Sequence, residues 1–129
     1  MADVMTAVVA ATLLASGTAT RYDPGVMQVV VANRVIYGQI DPETAHRGYV
    51  ALLDCEHLGR LVWLQQGERV GGPYMVADCA AERDRRRLLA LGFAVDLSWE
   101  LAQEWGIYNL PGAGFLVWDS EPRLSRRAR

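Results

Sequence analysis

Residues 73–106 read PYMVADCAAERDRRRLLALGFAVDLSWELAQEWG, and this stretch decides the fold. Two short apolar runs each end on a carboxylate: residues 74–77 lead to Asp78, and residues 93–95 lead to Asp96. Runs of this kind, bounded by turn-forming residues, read as strands. A polar, arginine-rich connection separates them. After Asp96 and Leu97 comes Ser98, a good helix N-cap because its side-chain oxygen can accept a backbone N–H of the first turn. Residues 99–105 then form a short helix, and Gly106 is a suitable residue just past its end, where φ turns positive. The local plan is strand, carboxylate, capped helix. Trp105, with Leu101 one turn before it, lies on the buried face of that helix.

Outward from this stretch, residues 17–22 make a first strand that Asp23-Pro24-Gly25 breaks. Asp at an N-cap followed by Pro also starts helices. Val26, Met27, Val29, Val30 and Asn33 fit a short buried helix as well as a strand, because periodicity over so few residues does not separate the two. Residues 49–53 and 61–64 read as strands around a polar connection. Residues 65–73, with three glycines, read as a turn region. A last strand, 115–118, is entered through Pro111-Gly112-Ala113-Gly114. Six short strands and little helix make an all-β fold with short helices, closed as a barrel.

A chain of 129 residues suffices for one domain with a real core. Its net charge of −2 offers phosphates no attractive surface, so nucleic acid is not an expected partner. The chain divides into an apolar N-terminal segment (1–16), a barrel domain (17–120) and a basic, solvated tail (121–129). The apolar run from Val4 to Ala15 is too short to span a bilayer comfortably. It has the length of an export-signal core but lacks the basic residues that precede one. It fits a remnant of such a signal or an extra strand or helix closing the barrel.

Cys55 and Cys79 do not form a Cys-x-x-Cys pair and have no evident third ligand, so no metal site is expected. Each follows an Asp at the end of an apolar run, which would place them at the ends of neighbouring strands. A disulfide between them would stabilise the fold by roughly 3–4 kcal/mol and would imply an oxidising compartment; the alternative is two buried thiols acting as small hydrophobes. His46 and His57 lie in loop-like contexts without metal-ligand spacing. There is neither a phosphate-binding Gly-rich loop nor a nucleophile elbow, and no cofactor is expected.

Val76, Asp78 and Cys79, then Val95-Asp96-Leu97-Ser98 with a helix ending at Gly106, and upstream Gly17-Thr18-Ala19-Thr20-Arg21-Tyr22, form an ordered set. It resembles the double-psi β-barrels of the expansins, barwin-like proteins, family-45 endoglucanases and bacterial rare-lipoprotein-A proteins. The resemblance implies a six-stranded double-psi barrel, secreted, periplasmic or cell-wall associated, that binds or acts on cell-wall polysaccharide or peptidoglycan. Asp96 matches the endoglucanase general acid, a role that requires a carboxyl group kept protonated near neutral pH. Asp78 matches a groove carboxylate, although Cys79-Ala80-Ala81 stands where the rare-lipoprotein-A proteins have Arg-Gly-Pro, a departure that favours a carboxylate that ties backbone amides. Asp23 comes one residue earlier than the endoglucanase general base, and one residue along a strand reverses the side chain's face. Tyr22, Trp99 and Ser98 are the expected substrate-binding residues. The other reading of the same residues is a non-catalytic, protein-binding scaffold of the barwin or inhibitor kind, in which both aspartates only fix loops.

Overall fold

A computed structural model describes residues 10–108 and 112–123. The strands are β1 (Leu13–Arg21), β2 (Tyr49–Leu52), β3 (Leu61–Gln66), β4 (Arg69–Cys79), β5 (Phe93–Leu97) and β6 (Gly112–Trp118). The helices are α1 (Val26–Ile36), α2 (Glu82–Ala90) and α3 (Trp99–Glu104), with a 3-10 turn at Cys55–His57. The six strands close into a barrel in the order β1-β5-β2-β4-β3-β6. Two pairings are parallel, β1 with β5 and β2 with β4, and the other four are antiparallel. The fold is therefore a closed, mixed, mostly-β barrel with a few short helices.

Alternation along the strands fills the interior. Val62 and Leu64 of β3, Val76 of β4 and Phe115 and Val117 of β6 are fully buried, and Trp105 joins them from just beyond α3. The Trp105 indole donates to the Tyr74 hydroxyl at 3.1 Å and meets Phe115 edge-on at 5.3 Å. This polar handle within an apolar contact is how a large aromatic is satisfied in a core. A second cluster (Met27, Ile40, Met75 and Ala77) seats α1 against the outside of β4.

The structure settles or alters the sequence reading at four places. Residues 26–36 are helix, and Gly25, at φ 82°, occupies the N-cap without a side-chain hydrogen bond, so Asp23 forms the preceding turn and does not cap. The stretch 65–73 is strand except at Gly67-Glu68, because Gln66 pairs with Arg69 across a two-residue turn. Glycine inside β4 serves close approach: a Cβ on Gly72 would lie 2.8 Å from the Trp63 indole. The arginine-rich connection folds as α2. Finally, β1 starts at Leu13, so residues 13–16 of the apolar N-terminal segment are barrel strand. Residues 1–9, and the tail from 124 onward, lie outside the described residues. Among the described residues no helix is long and apolar enough to cross a membrane.

Candidate functional site

The strand register builds a polar row. Thr20 on β1 is level with Asp96 on β5, Asp96 is level with Ala51 on β2, and Ala51 is level with Asp78 on β4. Adjacent strands lie ~4.8 Å apart, so the two aspartate backbones stand roughly 10 Å from one another with only the Ala51 methyl between them. Tyr22, one residue past β1, is pinned by its N–H to the Leu97 carbonyl at 2.8 Å. From there its hydroxyl reaches Asp78 Oδ2 at 2.6 Å.

The two carboxylates have opposite environments. Asp78 is fully engaged: its Oδ1 accepts from Arg34 Nη2 at 2.7 Å and from the Cys79 N–H at 2.9 Å, while Oδ2 holds Tyr22. Arg34, reaching across from α1, also donates to the Ala77 carbonyl and to Gln39. Arg34 stood in no sequence motif. Its one local signal is the single charge on an otherwise uncharged helix, and its partner lies 44 residues away.

Asp96 Oδ1, by contrast, is buried with no hydrogen-bond partner among the described residues. Burial is the largest influence on its carboxyl and, with the neighbouring Asp78 charge, pushes it up to about 6, against the opposing pull of Thr20 and Arg21. Burial also raises the Tyr22 hydroxyl, helped by its bond to Asp78 and the charges of both aspartates, so it stays a neutral donor.

Asp96, Thr20 and Tyr22 line a cavity of about 230 Å³. Its other walls are apolar: Ala51, Leu52, Leu53, Phe93 and Val95 from the barrel, and Leu88 from α2. Cys79 sits at its edge and is bonded to Cys55, so the disulfide fixes the end of β4 beside the cavity. An apolar cavity with one carboxyl group and two hydroxyls can hold the carbon face of a ligand while the carboxyl donates to a ligand oxygen.

The other expected site residues lie elsewhere. Asp23 is 81% exposed at its side chain and pairs with Arg21 at 3.1 Å. Trp99 carries the Arg21 guanidinium over its ring at 4.8 Å and does not line the cavity. Ser98 is buried and caps α3 by accepting from the Leu101 N–H at 3.3 Å. It borders a separate depression with Gly48 and Glu100. Register and burial thus unite Asp96, Asp78 and Tyr22, while Asp23, Trp99 and Ser98 stand outside the cavity.

Neither histidine reaches this site. His46 Nδ1 accepts from the Gly48 N–H at 3.1 Å. His57 lies with Asp54 and Glu56 at metal-ligand spacing, but Asp54 pairs with Arg85 at 3.5 Å and His57 Nδ1 lies 3.2 Å from Arg60 Nη1. Two arginines beside these residues disfavour a cation there.

Comparison with family models, with curated proteins and with solved structures finds no match for the chain.

Proposed function

We propose that the chain is an exported double-psi barrel module that binds or acts on cell-wall polysaccharide or peptidoglycan, with Asp96 as its proton-donating carboxyl. The observation that carries this reading is the buried, unpartnered Asp96 oxygen in a residue that lines an apolar cavity. The motifs around Gly17–Tyr22, Asp78-Cys79 and Asp96–Ser98 support it, as do the two parallel strand pairs. The Cys55–Cys79 disulfide fits an oxidising compartment.

The site holds one free acid and no free base. Inverting hydrolysis needs a second carboxylate, ~6.5–9.5 Å away across a water, to activate that water. Asp78 has both oxygens occupied, and Asp23 is solvent-facing and paired with Arg21. The arrangement therefore favours binding, or a cleavage in which Asp96 protonates the departing glycosidic oxygen and a hydroxyl of the substrate itself attacks the anomeric carbon. In that case Asp96, as carboxylate, takes up the hydroxyl proton and is restored. The scaffold reading draws on Asp78, whose contacts with Arg34, Tyr22 and the Cys79 amide only fix structure.

The test is release of soluble products from peptidoglycan and from β-glucan by the native chain and by Asp96→Asn. Products that vanish in the variant make Asp96 the acid. Products that persist in it remove Asp96 from the chemistry. If neither protein releases products, pelleting with the same polymers separates a binding module from a scaffold.

A further inference from the structure

α2 meets the barrel through Leu88, which walls the Asp96 cavity, and through Arg85 and Leu89, which border a second depression beside Asp54 and Phe93; none of the helix's residues is buried. Glu82 and Asp84 flank Arg83 near its start, and Arg85, Arg86 and Arg87 follow towards its end. That order suits the helix dipole. The sum of charges is less ordinary: four arginines (Arg83, Arg85, Arg86, Arg87) against two acids make the helix +2 on a chain whose net charge is −2. Arg85 is held by Asp54, Arg83 and Arg87 share Asp84 at 3.9 and 3.6 Å, and Arg86 has no ion-pair partner among the described residues.

The dipole does not account for the leucines beyond the arginines. The chain continues Leu88-Leu89-Ala90-Leu91-Gly92, and there Leu89 is 66% and Leu91 61% exposed. Arginines alone would suit any polyanion, but these leucines add an apolar requirement within one turn of the charges. An acidic glycan or a nucleic acid supplies anions without an apolar layer. An anionic bilayer supplies headgroup charge with acyl chains directly beneath it.

We propose that the C-terminal tip of α2, residues 86–91, docks on an anionic lipid surface, with Arg86 and Arg87 at the headgroups and Leu89 and Leu91 below them. The site is separate from the glycan reading and stands without it. Because Leu88 of the same helix walls the Asp96 cavity, docking would bring that cavity close to the membrane face.

The experiment is co-sedimentation of the full chain with phosphatidylcholine vesicles, with and without phosphatidylglycerol, at low and high salt. Arg86→Gln/Arg87→Gln and Leu89→Ser/Leu91→Ser are run beside it. All four positions are exposed, and thermal unfolding checks that both variants stay folded. Binding is expected only to the anionic vesicles, weakened by salt, reduced about tenfold or more by the arginine pair, and lost with the leucine pair. Equal binding to both vesicle types, or no binding, overturns the proposal. So does binding that the leucine pair leaves unchanged, which would describe a general polyanion site, as would equal retention of the native chain and the leucine variant on heparin with no vesicle binding.

Discussion

Asp78 and Asp96 stand one strand to either side of Ala51, on the same row of the barrel, and only one of them is free. Arg34, Tyr22 and the Cys79 amide saturate Asp78. Its remaining negative charge helps to keep the Asp96 proton in place. The fixed carboxylate thus prepares the free one.

The stability of the barrel should carry the mark of Asp96. Its folded-state value of about 6 lies above an ordinary aspartate's, so between roughly pH 4 and 6 the folded state binds more protons than the unfolded one, and stability falls as pH rises through that window. The carboxyl's contribution is fully present below the unfolded value and lost above about 6. Asp96→Asn should flatten this slope and stabilise the protein at neutral pH by about 1–3 kcal/mol, as read from urea unfolding at several pH values. A slope of unchanged size in the variant would assign the effect to other groups.

Arg34→Ala strips a half-buried carboxylate of its ionic partner. The Arg34–Asp78 pair is about one-fifth exposed on each side, so the loss should be about 2–3 kcal/mol, somewhat below that for a fully buried pair. Tyr22→Phe removes one hydrogen bond to the same carboxylate and should cost about 1–2 kcal/mol. The double variant should lose less than the sum, because both act on Asp78. Full additivity would mean that the two contacts are independent.

Gly17 lies at φ 147°, and a Cβ there would collide with the Gly92 carbonyl that accepts the Thr18 N–H. Gly17→Ala should therefore destabilise by about 2 kcal/mol or more, with Gly25→Ala as the open-space comparison at positive φ, costing about 1 kcal/mol. Equal losses at the two sites would show that conformation alone, and not the close approach of β1 to the α2–β5 turn, governs Gly17.

The Cys55–Cys79 bond closes a loop of 24 residues. Its replacement by Cys55→Ser/Cys79→Ser should cost roughly 3–4 kcal/mol in the chain-entropy account. Denaturant midpoints of the oxidised native chain and the variant measure it, and a loss under about 1 kcal/mol would contradict that account.

What could be read from the sequence was what is encoded locally. The six strands, the Ser98 cap, the Gly106 helix end and the buried Trp105 depend on neighbours in the chain, and the structure has them all. Asp96 is marked by an apolar run ending on a carboxylate, but its neighbours in the barrel, Thr20 and Ala51, come from other strands. Arg34 could not be anticipated, because its partner is set by the packing of α1 on β4. The glycines of β4 mislead because Gly signals both turn and close approach, and only the Trp63 contact distinguishes them. Trp99 and Ser98 are near the right strand end, yet α3 turns them away from the cavity.

The most direct test of the Asp96 assignment is pH-dependent pelleting of the chain with insoluble peptidoglycan. A protonated carboxyl donates a hydrogen bond that a carboxylate cannot, and an amide donates at either pH. The native chain should be retained at about pH 5 and released at about pH 8, on either side of the Asp96 value of about 6. Asp96→Asn should be retained at both. A native chain that binds equally at the two pH values, or a variant that keeps the native pH profile, would contradict the assignment of Asp96 as the donor.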